Sequence, residues 1–429
     1  MVTAILGKKN VTADENCDME GEQPDEEQEM DFGEFGGDNQ YWADGGSMDE
    51  NGMHSDDDEI DNDEISNAQL ELWKHDSLNL EATDPASESI DILQLHKDDT
   101  YNKKIDGSKC SAHLEAFTWH IRRILVEDSG LFDHYRERLG SPDVVLQIPL
   151  QKTNQIPCQV MKIKQSTTDG NMEVMENLLK QGGIGDPKDD SFDPVHDVDM
   201  SEYVLFIHDD LLTKEQLDTV RRLQQIENTP KNRFQYLISL PSLFHYKMAC
   251  ADAIWRTYIQ PKDSRGDHNS LYEHIGCLQP KDALKFISKP GFRRMHEVIH
   301  HDLTILMLDC WRVKVKKKNG QITTLELFAS SQPTWDELIQ MSYNIVVNYM
   351  VAGSNLRQAC SKAVDERDKQ FENQILRNCD ELLYVDLCQA MNSGDICCVE
   401  ASFLPWIDIF AAVGKHKYAA QIAKFTSDL

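Results

Sequence analysis

Residues 203–218 read YVLFIHDDLLTKEQLD, and residues 234–256 read FQYLISLPSLFHYKMACADAIWR. The first stretch opens on an apolar run, Tyr203 to His208, too short for a helix and closed by Asp209 and Asp210, which reads as a strand. Thr213-Lys-Glu-Gln216 has the spacing of a capping box, with Leu217, Val220 and Leu223 continuing a helix behind it. Phe234 to Leu240 is a second strand-like run. From Phe244, apolar residues fall at 244, 248, 251, 255 and 258 or 259, the buried face of a helix. Strand, carboxylates, helix, strand and polar helix in that order predict the middle of an α/β domain. The stretch from Tyr203 to Lys314 organises the rest of the chain.

Upstream, Ser111 is a good N-cap, and Leu114, Phe117, Ile121 and Ile124 or Leu125 then recur at helical spacing. Asp143 to Pro149 and Pro157 to Lys164 carry β-branched or alternating residues and read as strands. A helix is expected from Met172 to Lys180. The glycine run from Gly182 to Gly185 superficially suggests a phosphate cradle. It lacks the Lys-Ser/Thr of a P-loop and ends a helix where phosphate binding needs one to begin. Downstream, a helix is expected from Arg294 to Asp309. Trp311 to Lys318 and Gln321 to Phe328 flank Asn319-Gly320, a strong hairpin signal. Thr334-Trp-Asp-Glu337 is a second capping box, opening a helix through Val351. Helical patterns fill the chain from Asn355 to Met391, from Asp395 to Val413 and from Lys415 on. That pattern is still running at Leu429, so the sequence reads as a piece of a longer one.

Charge divides the chain. Between Lys9 and Lys74 there are 23 Asp and Glu and no Lys or Arg, so 51 of the 74 acids and all 43 Lys and Arg lie elsewhere. Most of the formal charge of −31 therefore belongs to an N-terminal arm, placed at residues 1–108. Such a stretch has too few large apolar residues to offset the entropy of ordering, and it is expected to be disordered. Ser55-Asp-Asp-Asp-Glu59 in it would suit an acidophilic kinase. Residues 109–429 form the folded part, whose near-balanced charge neither advertises nor excludes nucleic acid. The 11 cysteines are irregularly placed and no signal peptide precedes them, which predicts reduced thiols in an intracellular protein of nucleus or cytoplasm. No apolar stretch approaches the ~18 residues of a membrane span.

Several side-chain sets could carry chemistry. Asp209 and Asp210 stand where a strand meets a loop, the usual place for metal-binding carboxylates in open α/β sheets. Asp at a helix start is also favoured by electrostatics alone. His245, Asp252 and Arg256 share a helical stripe and could hold a phosphate or a carboxylate, or tie the helix to its neighbour. His296-Glu297-Val-Ile-His300 matches HExxH, which sets two imidazoles on one helix face for zinc. Its context argues against a zinc hydrolase: Asp302 stands where an apolar residue is usual, no third ligand follows, and Glu326 lies in the expected hairpin. The motif is therefore expected to be a polar helix face that holds no zinc. Arg312 to Lys318 reads as the charged edge of the hairpin. Cys379, Cys388 and Cys397 match no zinc pattern.

Taken together, IHDDLLTKEQLD (207–218), LFHYKMACADAIWR (243–256), KPGFRRMHEVIHH (289–301), LDCWR (308–312) and GKHKYAAQ (414–421) resemble a family of mushroom-forming fungi catalogued as domain of unknown function 6589. The resemblance spans Ser111 to Leu429. It implies a transposon-derived protein with an RNase H-like core, in which three carboxylates would hold two metal ions, and a large helical C-terminal part. Asp210 would be the carboxylate of the family's turn and a metal ligand, His245 its Phe-His histidine and Tyr418 its Lys-Tyr-Ala tyrosine. The chain departs from that pattern: Asp209 replaces a Gly, an upstream Asp-Asn pair has no counterpart, and Gln421 stands where relatives carry Glu, with Glu400 a weak substitute. The resulting expectation is a non-catalytic protein that does not engage nucleic acid and has no cofactor. One alternative is a Mg²⁺-dependent nuclease or transposase using Asp210 with Asp209 or Glu400. Another is an interaction protein whose acidic arm binds basic partners such as histones.

Overall fold

A computed structural model describes residues 3–5, 112–142, 147–148, 157–164, 166–199, 205–288, 290–350, 360–363 and 365–428. The acidic arm beyond Thr3–Ile5, the motif at Ser55–Glu59 and most of the strand expected at Asp143–Pro149 lie outside these residues. In chain order the elements are β1 (Thr3–Ile5), α1 (Ala112–Arg123), α2 (Arg136–Leu139), α3 (Thr168–Gln181), β2 (Ile184–Gly185), β3 (Val198–Asp199) and β4 (Leu205–Asp209). Then come α4 (Leu211–Leu223), β5 (Leu237–Pro241), α5 (Leu243–Tyr258), α6 (Leu271–Leu278), α7 (Ala283–Ser288) and α8 (Phe292–Lys318). The C-terminal elements are α9 (Leu325–Ser330), α10 (Trp335–Tyr349), α11 (Lys369–Ser393), α12 (Ile396–Ala412) and α13 (His416–Asp428). Strand β4, helix α4, strand β5 and helix α5 follow in the order read from 203–256. The described chain as a whole is mostly helical, and its strands are short.

The chain divides into two units. One takes in residues 1–82, 179–208 and 221–239 and contains most of a three-stranded sheet of order β1-β4-β5. Strand β1 runs antiparallel to β4, with Ala4 opposite Ile207, so a strand forms inside the stretch read as an arm. In the same unit β2 and β3 pair in parallel. Buried Asp186 holds the nearby loops by accepting from the Lys188 and Lys231 backbone N–H groups at 2.9 and 3.1 Å. Gly183 (φ +60°) lies just past α3, so the glycine run ends a helix as expected.

The second unit takes in 83–178, 209–220 and 240–429 and holds the main hydrophobic core. Its axis is α8, which packs against α5, α6, α10 and α11, while α10 lies along α1 and α12 along α13. Leu303, Met307, Trp311 and Val315 recur every four residues on α8 and are all buried, the stripe a helix needs to face a core. Trp311 also donates its indole N–H to the Ile121 carbonyl at 3.0 Å, fixing α8 to α1. Thr334 caps α10 by accepting from the Glu337 N–H, as its capping box predicts.

Three expectations are corrected. The hairpin around Asn319-Gly320 does not form: Trp311 to Lys318 is the last part of α8, and Leu325–Ser330 is helical. Val313 and Val315 alternate over too few residues to outweigh the four-residue repeat that runs through Trp311. Lys316, Lys317 and Lys318 suit the negative end of the helix, and Asn319 is its C-cap. The basic cluster is thus a helix terminus and not a strand edge. Residues 157–164 form no strand; they are largely exposed, so their alternation has no core face to pack on. Finally, Thr213 is not the cap of α4, because Asp210, three residues earlier, takes that place and accepts from the Thr213 N–H at 2.8 Å. Cysteines of the described residues are free thiols, and no described helix is long and apolar enough to cross a membrane.

Candidate functional site

Helices α8 and α11 meet along a seam that carries two polar clusters. The first lies where α5 also approaches. His296 and His300, one turn apart on α8, have ring centroids 4.5 Å from each other. Cys388, buried on α11, completes a group in which one ring nitrogen of each histidine and the Cys388 sulfur all lie within 4.8 Å of one another. Tyr384, one turn before Cys388, stands over both rings with centroid distances of 5.8 and 6.1 Å. Its hydroxyl is 2.8 Å from His296 Nδ1. The buried Nε2 of His300 has no hydrogen-bond partner, an uncommon state for such a group.

Burial sets the protonation states of the three groups. Burial holds His296 below its usual value, with Lys247 adding to the effect. Burial and then the neighbouring His296 push His300 down to about 4. The Cys388 thiol goes up to about 11 through burial, against the opposing effects of Lys247 and the Tyr384 hydroxyl. Two neutral imidazoles and a protonated thiol therefore face one another. Glu297, the carboxylate of the HExxH pattern, is ion-paired with Arg293 at 3.2 Å.

The second cluster is charged. Buried Asp302 on α8 hydrogen bonds His274, and Arg377 on α11 lies 3.6 Å from Asp302 and 3.9 Å from Glu381. Burial raises Glu381 well above the usual carboxylate range, Asp302 adds to the rise, and Arg377 opposes it. Beside them Asp380 accepts from the Tyr258 hydroxyl at 2.6 Å, and burial brings its carboxyl up to about 7.

The residues singled out from sequence fall elsewhere. Asp210 caps α4, and Asp209 ends β4 with its side chain outside the described residues. Glu400 is half-buried on α12. Neither Asp210 nor Glu400 belongs to a potential ligand group of three among the described residues. Buried Asp252 receives Arg256 Nε at 2.8 Å and Lys415 Nζ at 2.6 Å on the same carboxylate oxygen, tying α5 to the start of α13. His245 is half-buried and makes no hydrogen bond or ion pair to either Asp252 or Arg256. Tyr418 packs on Phe410 at 5.6 Å and under Lys415, and Gln421 Oε1 is buried without a partner. Sequence reading missed Cys388 and Tyr384 as partners of the HExxH histidines. Their four-residue spacing was the available signal, and nothing local says which helix they face.

A family model described as "Family of unknown function (DUF6589)" matches residues 94–429. No curated protein and no solved structure matches the chain.

Proposed function

Since the chain belongs to this family of unknown function, we propose that it is a transposon-derived protein on an RNase H-like plan that has no nuclease activity of its own. The carrying observation is the employment of Asp210. Its carboxylate caps α4 through the Thr213 N–H, and the one potential ligand group of three among the described residues is built from imidazoles and a thiol, with no carboxylate. Two-metal phosphodiester chemistry needs carboxylates that converge from several elements to hold both cations across the scissile phosphate. The order β4, Asp209-Asp210, α4, β5 supports the RNase H-like plan as ancestry.

Nicking of supercoiled plasmid with Mg²⁺ or Mn²⁺, beside Asp210→Asn, tests this reading. Asn caps a helix about as well as Asp, so the variant removes the charge and keeps the cap. The expected result is no nicking by either protein. Metal-dependent nicking by the natural chain that vanishes in Asp210→Asn would overturn the reading in favour of a transposase-type nuclease.

A further inference from the structure

The HExxH histidines were set aside in the sequence for want of a third ligand, and the fold supplies one from a helix 88 residues further on, counting His300 to Cys388. We propose that His296, His300 and Cys388 form a zinc site that joins α8 to α11. The assignment is independent of the proposal about nuclease activity.

Ligand chemistry selects the ion. Two imidazoles and a thiol suit zinc and other borderline-soft metals, whereas Mg²⁺ and Ca²⁺ require oxygen ligands that this group does not offer. Zinc sits ~2.0–2.1 Å from nitrogen and ~2.3 Å from sulfur, which spaces tetrahedral ligands by roughly 3.5 Å. The three ligand atoms already lie within 4.8 Å, so rotation of the side chains by about an ångström gathers them. Both histidines are half-buried and Cys388 is buried, so the ion enters past the imidazoles and meets the thiol behind them. Binding converts the thiol to a thiolate and releases its proton to solvent, leaving a zinc–sulfur bond of reduced net charge.

The surroundings fit a ligated state better than a packing cluster alone. The unpartnered Nε2 of His300 gains a ligand bond in place of a buried, unsatisfied lone pair. The Tyr384 hydroxyl holds His296 Nδ1 at 2.8 Å, the outer hydrogen bonding that orients a metal ligand. Glu297 points into an ion pair with Arg293, so the site lacks the free general base of a zinc protease and acts as a clasp between helices.

The test uses the full chain without an affinity tag, loaded with zinc alone and desalted, followed by elemental analysis and cobalt replacement. The expected result is one zinc per chain and a sulfur-to-cobalt charge-transfer band. Both are lost in the double variant His300→Gln, Cys388→Ser. Tyr384→Phe should keep the stoichiometry and weaken zinc binding ~10- to 100-fold, as loss of an outer-shell partner does. Should the double variant fail to fold, zinc-edge X-ray absorption of the natural chain decides: the ion's first shell should hold two imidazole nitrogens and one sulfur. Zinc absent from the natural chain, zinc retained by the folded double variant, or a zinc first shell without sulfur would each overturn the assignment.

Discussion

Along the seam between α8 and α11, the cluster of Asp302, Arg377 and Glu381 sets opposite charges 3.6 and 3.9 Å apart, while Asp302 Oδ2, Arg377 Nε and both Glu381 oxygens lack a hydrogen bond. The cluster of His296, His300 and Cys388, by contrast, has no charge to balance and leaves one ring nitrogen, His300 Nε2, without a partner. Both are polar insertions into one hydrophobic core, and burial acts on both. In the charged cluster burial raises the Glu381 carboxyl, the neighbouring Asp302 adds to the rise, and Arg377 opposes it. In the neutral cluster burial strips the charge from all three ligands and leaves lone pairs as the only resource. A polar group in a core must find a partner or be costly. The first cluster offsets its charge inside the chain through Arg377, and the second is fitted to take a partner from outside.

Breaking the charged cluster should give the largest effect. Arg377→Ala leaves Asp302 and Glu381 as neighbouring buried carboxyls with no cation between them. Removing one partner of a buried ion pair typically costs ~3–5 kcal/mol. Urea unfolding should register a loss of that size. A loss of only a few tenths, the behaviour of an exposed pair, would mean that water reaches the cluster and weakens the contrast between the two sites.

A pH series sharpens the same contrast with a smaller effect. Asp380 borders the charged cluster, and its folded-state value of about 7 stands above the ordinary 3.8. A carboxyl with a raised folded value binds its proton more tightly in the native state. Its contribution is therefore fully present below the unfolded value and is lost as pH rises toward the folded one. Stability attributable to Asp380 should fall between about 4 and 7 and stay level above. Asn cannot ionise, yet its amide oxygen still accepts the Tyr258 hydroxyl. Asp380→Asn should match the natural chain in acid and exceed it by about 2 kcal/mol above neutrality, less than the full 1.36 kcal/mol per unit because the side chain is partly exposed. Thermal unfolding across that range checks it. Equal stabilities at high pH would show that Glu381 and Tyr258 do not keep solvent from this carboxyl.

Periodicity made much of this fold legible. The stripe at Leu114, Phe117 and Ile121, the capping box at Thr334, and the succession of strand and helix from 203 to 256 all rest on local patterns that tertiary structure then uses. Asn319-Gly320 misled because a turn signal is decisive only between strands, and the flanking residues continue the α8 stripe. The polar seam was half legible. His296 and His300 declare a shared helix face, but Cys388 and Tyr384 join them through packing of α11 on α8, which no short-range spacing encodes. Asp252 was visible as part of a stripe with His245 and Arg256, while its second cation, Lys415, arrives from a distant turn.

The carboxylate at the start of α4 gives the smallest effect and marks the far end of the comparison, a charge at the surface of a helix start that accepts from a backbone N–H. Asp210 accepts from the Thr213 N–H at 2.8 Å and is half-exposed. An N-cap satisfies a donor that the first turn of a helix otherwise leaves free, and replacing it with Ala typically costs ~1 kcal/mol. Thr213 lies inside the first turn, where its hydroxyl is not the cap. Asp210→Ala should therefore lower the unfolding free energy by about 1 kcal/mol, Asp210→Asn should restore most of it, and Thr213→Ala should change it by less than half as much. The ranking matters more than the sizes, because the sequence favoured Thr213 as the cap and the fold employs Asp210. If Thr213→Ala proved the costlier, α4 would begin three residues later, and Asp210 would be released from capping to serve as a metal ligand after all.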